Sequence, residues 1–130
     1  MESPERSCIF FHKPDIRLDE AAVALRAKGM TASRKGEVLN VVWKDSPTLH
    51  VHFVQGDGVR KDAVRVGRGK SLEAVLRECD SAFVITFEDL DQVLDEANVL
   101  IEVQLDLKAL TGGVIMRSWN DELSGPEDAP

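Results

Sequence analysis

The chain has 130 residues, of which 43% are hydrophobic and 30% are charged. This length is typical of one domain, and the apolar share can form a core, which excludes a wholly disordered chain. Acidic residues number 23 against 16 basic ones, and the formal charge of −7 argues against a general nucleic-acid binder. No apolar run reaches the roughly 20 residues of a membrane-spanning helix. We therefore expect a cytoplasmic protein that binds neither nucleic acid nor membrane.

Polar, proline-containing segments frame the chain, and two cysteines are too few for a disulfide framework. The expected parts are a flexible N-terminus (1–6), a single α+β domain (7–123) and a flexible acidic tail (124–130). The first predicted element is a strand at 7–12, an apolar run that Pro14 ends. A helix is predicted at 18–28, because early acids and late bases complement the helix dipole and Gly29 provides a stop.

Two strands are predicted next, at 37–43 and 48–54. The second alternates apolar residues with His50 and His52, which is typical of a sheet with one buried face. The segment 59–66 is compatible with a further short strand, and a flexible basic loop follows it.

The remaining predicted elements are a short helix at 72–79, a strand at 82–87, a long helix at 88–110 and a last strand at 114–119. Helix is the alternative for 82–87, because helices flank it. The order β-α-β-β-α-β-α-β predicts an α+β fold with a mostly antiparallel sheet, helices packed on one face and a partly ferredoxin-like arrangement. The apolar side of each element predicts a core that includes Phe10, Leu25, Val41, Leu49, Val51, Phe53, Leu76, Val84, Leu94, Leu100 and Ile115.

Acidic residues follow one side of the long helix. At about 100° per residue, five of them fall within an arc of about 60°: Glu88, Asp91, Asp95, Glu102 and Asp106. Leu100 and Ile101 belong to the opposite, apolar side. The simplest interpretation is a solvated face whose early acids favour the helix dipole. Glu102 and Asp106 lie too far along the helix for that benefit, and like charges at this spacing repel. We therefore take the five acids as candidate partner-binding residues, facing a basic protein.

Three weaker patterns are candidate chemical sites. His50 and His52 have a usable metal-ligand spacing, but a structural zinc site needs three or four ligands, so no metal is expected. Residues 66–71 (VGRGKS) end like a phosphate-binding loop, yet Val64 stands where that loop needs glycine. The bases between 60 and 70 form either an anion site or a solvated loop. No catalytic residues and no cofactor are expected, because no triad-like signature is present.

The sequence from 107 to 123, LKALTGG followed by VIMRSWNDEL, resembles the end of small α+β immunity proteins of bacterial polymorphic-toxin systems. Such domains close with a helix, a Thr-Gly-Gly turn and a final strand. The resemblance covers about residues 82–123 and is architectural, so it assigns no site residue. It implies a protein that binds and blocks one toxin, and a basic toxin would suit the acidic surface. The alternative is a small α+β domain that binds a small ligand or self-associates, and the oligomeric state stays open.

Overall fold

The computed structural model describes residues 6–13, 15–44, 46–88, 90–95, 97–118 and 122–124. Within these ranges it has seven strands and five helices, which confirms the α+β class. In chain order they are β1 (Arg6–Phe11), α1 (Leu18–Ala27), β2 (Thr31–Lys35), β3 (Val38–Val42), β4 (Leu49–Gln55), α2 (Asp57–Gly67), α3 (Glu73–Arg77), β5 (Ser81–Thr86), α4 (Leu90–Asp95), α5 (Ala97–Thr111), β6 (Val114–Arg117) and β7 (Glu122–Ser124).

The strands form a single sheet in the order β2-β3-β4-β5-β1-β6-β7, and every neighbouring pair is antiparallel. β1 lies between β5 and β6, so Phe10 is opposite Ala82 on one side and Val114 on the other. Since β5 and β6 are both antiparallel to β1, they run parallel to each other. α4 and α5 connect them, and the connection crosses β1.

Both faces of β1 are buried. Ile9 and Phe11 belong to a core with α1 and α5, whereas Cys8 and Phe10 belong to a second core with α2 and α3. Successive side chains of a strand point to opposite faces, so the two cores lie on opposite sides of the sheet. Helices therefore cover both faces, which corrects the expectation of helices on one face only.

The ferredoxin-like part of the expectation is not confirmed. In a ferredoxin-like sheet the first strand would lie between the strands equivalent to β4 and β5. Here β5 lies between β4 and β1 instead. The order of elements along the chain was compatible with both arrangements, because it does not specify which strands pair.

Five segments also differ from the local predictions. Residues 31–35 and 122–124 form additional short strands, and the segment 59–66 lies within the helix α2 rather than in a strand. The helix predicted at 72–79 is limited to α3. The long helix predicted at 88–110 is matched by α4 and α5, on either side of residue 96, which lies outside the described residues.

The predicted core agrees well with the observed one. Eight of its residues are buried: Phe10, Leu25, Val41, Leu49, Val51, Leu76, Leu100 and Ile115. Phe53 and Val84 are half-buried at the margins of the two cores. The Leu94 side chain lies outside the described part of the structure.

Both predicted flexible ends fall mainly outside the described residues, which begin with Arg6 in β1 and end with Ser124 in β7. Among the described helices, none combines the length and the apolar character needed to cross a bilayer.

The Thr-Gly-Gly turn joins α5 to β6 through specific contacts. The Thr111 hydroxyl donates to the Leu107 carbonyl (2.7 Å) and accepts from the Gly113 N–H (3.1 Å). Gly112 has a φ of +67°, a conformation that glycine adopts without strain. A Cβ at Gly113 would overlap the Phe10 carbonyl oxygen. Glycine at 113 therefore allows β6 to lie beside β1 immediately after the helix.

We predict that Gly113→Ala lowers the free energy of unfolding by about 1–3 kcal/mol, because the new methyl group meets the backbone of β1. Gly58→Ala in α2 is the matched control, since a Cβ there meets nothing within 4 Å. This control should stabilise the protein by about 0.5–1 kcal/mol through helix propensity. Urea denaturation of the three proteins measures both effects. Equal stability of Gly113→Ala and the wild type would contradict the close approach.

Candidate functional site

The structure does not arrange the five acidic candidates as one exposed row. Glu88 and Asp91 are exposed just before and within α4, and the Asp95 side chain lies outside the described residues. On α5, Glu102 is half-buried and Asp106 is only 9% exposed. The acids therefore divide into an exposed group near α4 and a partly buried pair on α5.

The exposed side of α5 is largely apolar. We call its exposed residues the α5 outer surface: Asn98, Ile101, Leu105 and Ala109. Ile101 is 47% exposed and Leu105 is 38% exposed, so the predicted apolar side is divided, with Leu100 buried and Ile101 exposed. The buried side of α5 is formed instead by Val99, Val103 and Leu107, which pack in the core with α1.

A buried polar network ties one edge of α5 to the sheet. The Gln104 amide donates to the Ser7 hydroxyl (2.9 Å) and accepts from the Arg117 guanidinium (3.1 Å). The Ser7 hydroxyl in turn donates to the Met116 carbonyl (3.0 Å). Because buried polar groups require partners, this network directs Gln104 toward β1 and β6. Gln104 lies at one edge of the buried face, and the packing of Val99, Val103 and Leu107 in the core leaves Ile101 and Leu105 outside. No pattern in the sequence indicates this network, since a single glutamine in an apolar helix is usually solvated.

Glu102 and Asp106 form a carboxyl pair one helical turn apart. The pKa of Asp106 is raised to about 6, chiefly by burial; the nearby Glu102 contributes to the rise, and Lys28 at the end of α1 opposes it. In the described part of the structure, Asp106 Oδ2 is buried without a hydrogen-bond partner. A protonated Asp106 can donate to the Glu102 carboxylate, whereas an ionised Asp106 has a second negative charge beside it. The pair therefore favours either a shared proton or an added cation.

His12, Asp80 and Ser81 lie together but do not form a catalytic triad. His12 Nδ1 is 2.9 Å from Asp80 Oδ1, and the Ser81 hydroxyl donates to that same carboxylate oxygen (3.1 Å). A triad would require the hydroxyl to contact the imidazole instead. These bonds lower the pKa of Asp80, chiefly through His12. The group connects the end of β1 to the start of β5.

Both cysteines are buried. Burial raises the pKa of Cys8, and it raises that of Cys79 to about 11. The two thiols are therefore neutral at physiological pH and behave as apolar groups rather than nucleophiles.

His50 and His52 are half-buried on the part of the sheet that α2 and α3 leave open. His50 Nδ1 lies 2.7 Å from Asn40 Oδ1, and His52 Nε2 lies 3.2 Å from Thr86 Oγ1. Burial lowers the pKa of His52, and His50 adds to this effect. Among the described residues, no three His, Cys, Asp or Glu side chains converge as metal ligands would.

The basic residues between 60 and 70 do not form a phosphate-binding loop. Val64 lies within α2, which continues to Gly67, so the backbone turn of such a loop is absent from this described segment. Lys61 and Arg65 are exposed on α2, one helical turn apart.

The carboxyl pair predicts an unusual dependence of stability on pH. The folded state holds a proton on Asp106 up to about pH 6, whereas the unfolded chain releases it near 3.8. Stability contributed by this group is therefore present below about pH 4 and is lost as the pH rises to about 6. We predict that Asp106→Asn raises the free energy of unfolding at pH 7 by roughly 1–3 kcal/mol. The gain should be much smaller at pH 4.

Urea denaturation at pH 4, 5, 6 and 7 measures this effect. Glu37→Gln is the control, because its side chain is 92% exposed on the turn between β2 and β3. The control should leave the pH profile unchanged. An Asp106→Asn variant that is less stable than the wild type at pH 7 would contradict the raised pKa.

No protein family model matches the chain, and neither curated proteins nor solved structures match it. Function therefore has to follow from the geometry of this chain's own residues.

Proposed function

We propose that this protein is a non-enzymatic binding domain that inhibits a basic protein, as an immunity protein inhibits a toxin. The observation that carries the proposal is the carboxyl pair of Glu102 and Asp106 directly beside two exposed apolar side chains, Ile101 and Leu105. Protein interfaces commonly place large apolar groups at the centre and charged groups around them. The α5 outer surface and the pair have this composition.

Charge complementarity favours a basic partner. A lysine or arginine brought beside Glu102 would compensate the negative charge that the folded chain leaves around Asp106. Glu88 and Asp91, exposed near the start of the same helical connection, extend the negative potential. The formal charge of −7 would accelerate the approach of such a partner over longer distances.

Inhibition then requires only that the bound chain covers the partner's functional surface. Ile101 and Leu105 would anchor the complex by leaving water, and the acids would select a basic partner over others. Binding of a cation beside the pair would also release the proton from Asp106, so affinity should increase as the pH rises through about 6.

The test is co-expression of this chain with the protein encoded by the neighbouring gene of its genome. We expect that protein to arrest growth alone and the wild-type chain to restore growth. With purified proteins, Glu102→Lys should weaken binding at least about tenfold, and the loss should shrink as salt is raised. Glu37→Lys makes the same charge change at a distant exposed site and should bind like the wild type.

The contribution of Ile101 and Leu105 to binding is tested by alanine substitution. Ile101→Ala and Leu105→Ala should each weaken binding about fivefold or more, because large apolar side chains at the centre of an interface carry much of the affinity. Val75→Ala, at an exposed valine of α3 on the other side of the sheet, is the control. Failure of the wild-type chain to bind the toxic neighbour would contradict the inhibitory function. Unchanged binding by all three α5 variants would contradict the surface.

A further inference from the structure

A cleft of about 590 Å³ lies between α2 and the sheet, on the face opposite to α5. Its floor is apolar and comes from neighbouring strands: Cys8, Phe10, Ala82, Val84 and Met116. Val59 and Val66 of α2 line the opposite wall. This volume is within the range of roughly 300–1,000 Å³ that is typical of small-molecule sites.

The rim of the cleft is predominantly basic. Arg6 of β1 stands on one side, and Lys61 and Arg65 of α2 stand on the other. Asp62 is the acidic residue among the lining groups, and its Oδ1 lies 3.5 Å from Arg65 Nη2. Three bases against one acid leave a positive rim on a protein of formal charge −7, so the rim differs from the chain as a whole.

The thiol on the floor reinforces the apolar character of the cleft. Burial raises the pKa of Cys8, and Asp62 adds to this, while Arg6 opposes it. The neutral thiol is therefore an apolar contact for a ligand.

We propose that this cleft binds a small amphipathic anion, an organic carboxylate or sulfonate with an aliphatic or aromatic body. The apolar body lies on the floor over the paired strands β1 and β5, and the anionic group is held by Lys61 and Arg65, with Arg6 across the opening. An inorganic anion would leave the apolar floor unused, and a neutral apolar molecule would leave the basic rim unused. This site is independent of the α5 outer surface, because the sheet separates them.

Two anions serve as probes: 8-anilinonaphthalene-1-sulfonate, followed by fluorescence, and decanoate, followed by calorimetry and by competition with the dye. We expect saturable binding at one site per chain.

Gly58 lines the cleft, and a Cβ there meets nothing within 4 Å, so Gly58→Leu should narrow the cleft without backbone overlap. Gly58→Leu, and Val84→Phe from the floor, should each weaken binding at least tenfold.

The charge on the rim is tested separately. Lys61→Glu combined with Arg65→Glu should weaken decanoate binding at least tenfold and leave decanol binding within about twofold. Lys35→Glu, at an exposed site on β2, should leave both unchanged. Amide shifts in an NMR titration with decanoate should concentrate at Cys8 and Val84.

Circular dichroism spectra of every variant should match that of the wild type, and no melting midpoint should fall well below it, which separates a blocked cleft from a lost fold. Binding that is not saturable, or that all cleft variants retain, would overturn the proposal. Decanoate shifts located on α5 would overturn it as well. None of these outcomes bears on binding of a basic protein by α5. That binding is measured with Glu102→Lys, Ile101→Ala and Leu105→Ala.

Discussion

The structure depends on the burial of β1 from both sides. This strand lies between β5 and β6, and its alternate side chains supply both cores, Ile9 and Phe11 to one and Cys8 and Phe10 to the other. A strand that is covered on both faces forces the helices into two layers, because each face needs its own cover. α1 and α5 form one layer, and α2 and α3 form the other.

Each layer therefore has a surface of its own. The core packing of Val99, Val103 and Leu107 orients α5, which turns Asp106 inward and Ile101 outward, and the buried network of Ser7 and Gln104 ties one edge of the helix to β1. On the other side, α2 contacts the sheet through Val59 and Ala63 but leaves a cleft over the strands. The α5 outer surface with its neighbouring carboxyl pair and the apolar cleft with its basic rim thus lie on opposite faces of the sheet.

Local sequence patterns predicted individual strands and helices, but they could not predict how the strands pair or which polar groups are buried. The apolar run at 8–11 predicted a strand, and its lack of alternation was a usable sign of burial on both faces. Val59, Ala63 and Val66 have the spacing of a helix face, so α2 could have been predicted from the same rule that located α1. β2 has a single buried apolar residue, Ala32, so its pattern carried almost no signal. Charge alone predicts that the acids on α5 are exposed, because charged residues usually are, but Asp106 shares the side of α5 that Val99 and Val103 hold in the core.

The central claim is that the fold holds the Asp106 carboxyl beside Glu102, so that the two groups repel each other when both are ionised and a cation would reduce this repulsion. An NMR titration of the Asp106 side-chain carboxyl carbon tests it most directly. The account predicts a midpoint near pH 6, which Glu102→Gln lowers toward the ordinary value of 3.8. A midpoint near 4 in the wild type, unchanged by Glu102→Gln, would show that the two groups ionise independently in solvent and would contradict the claim.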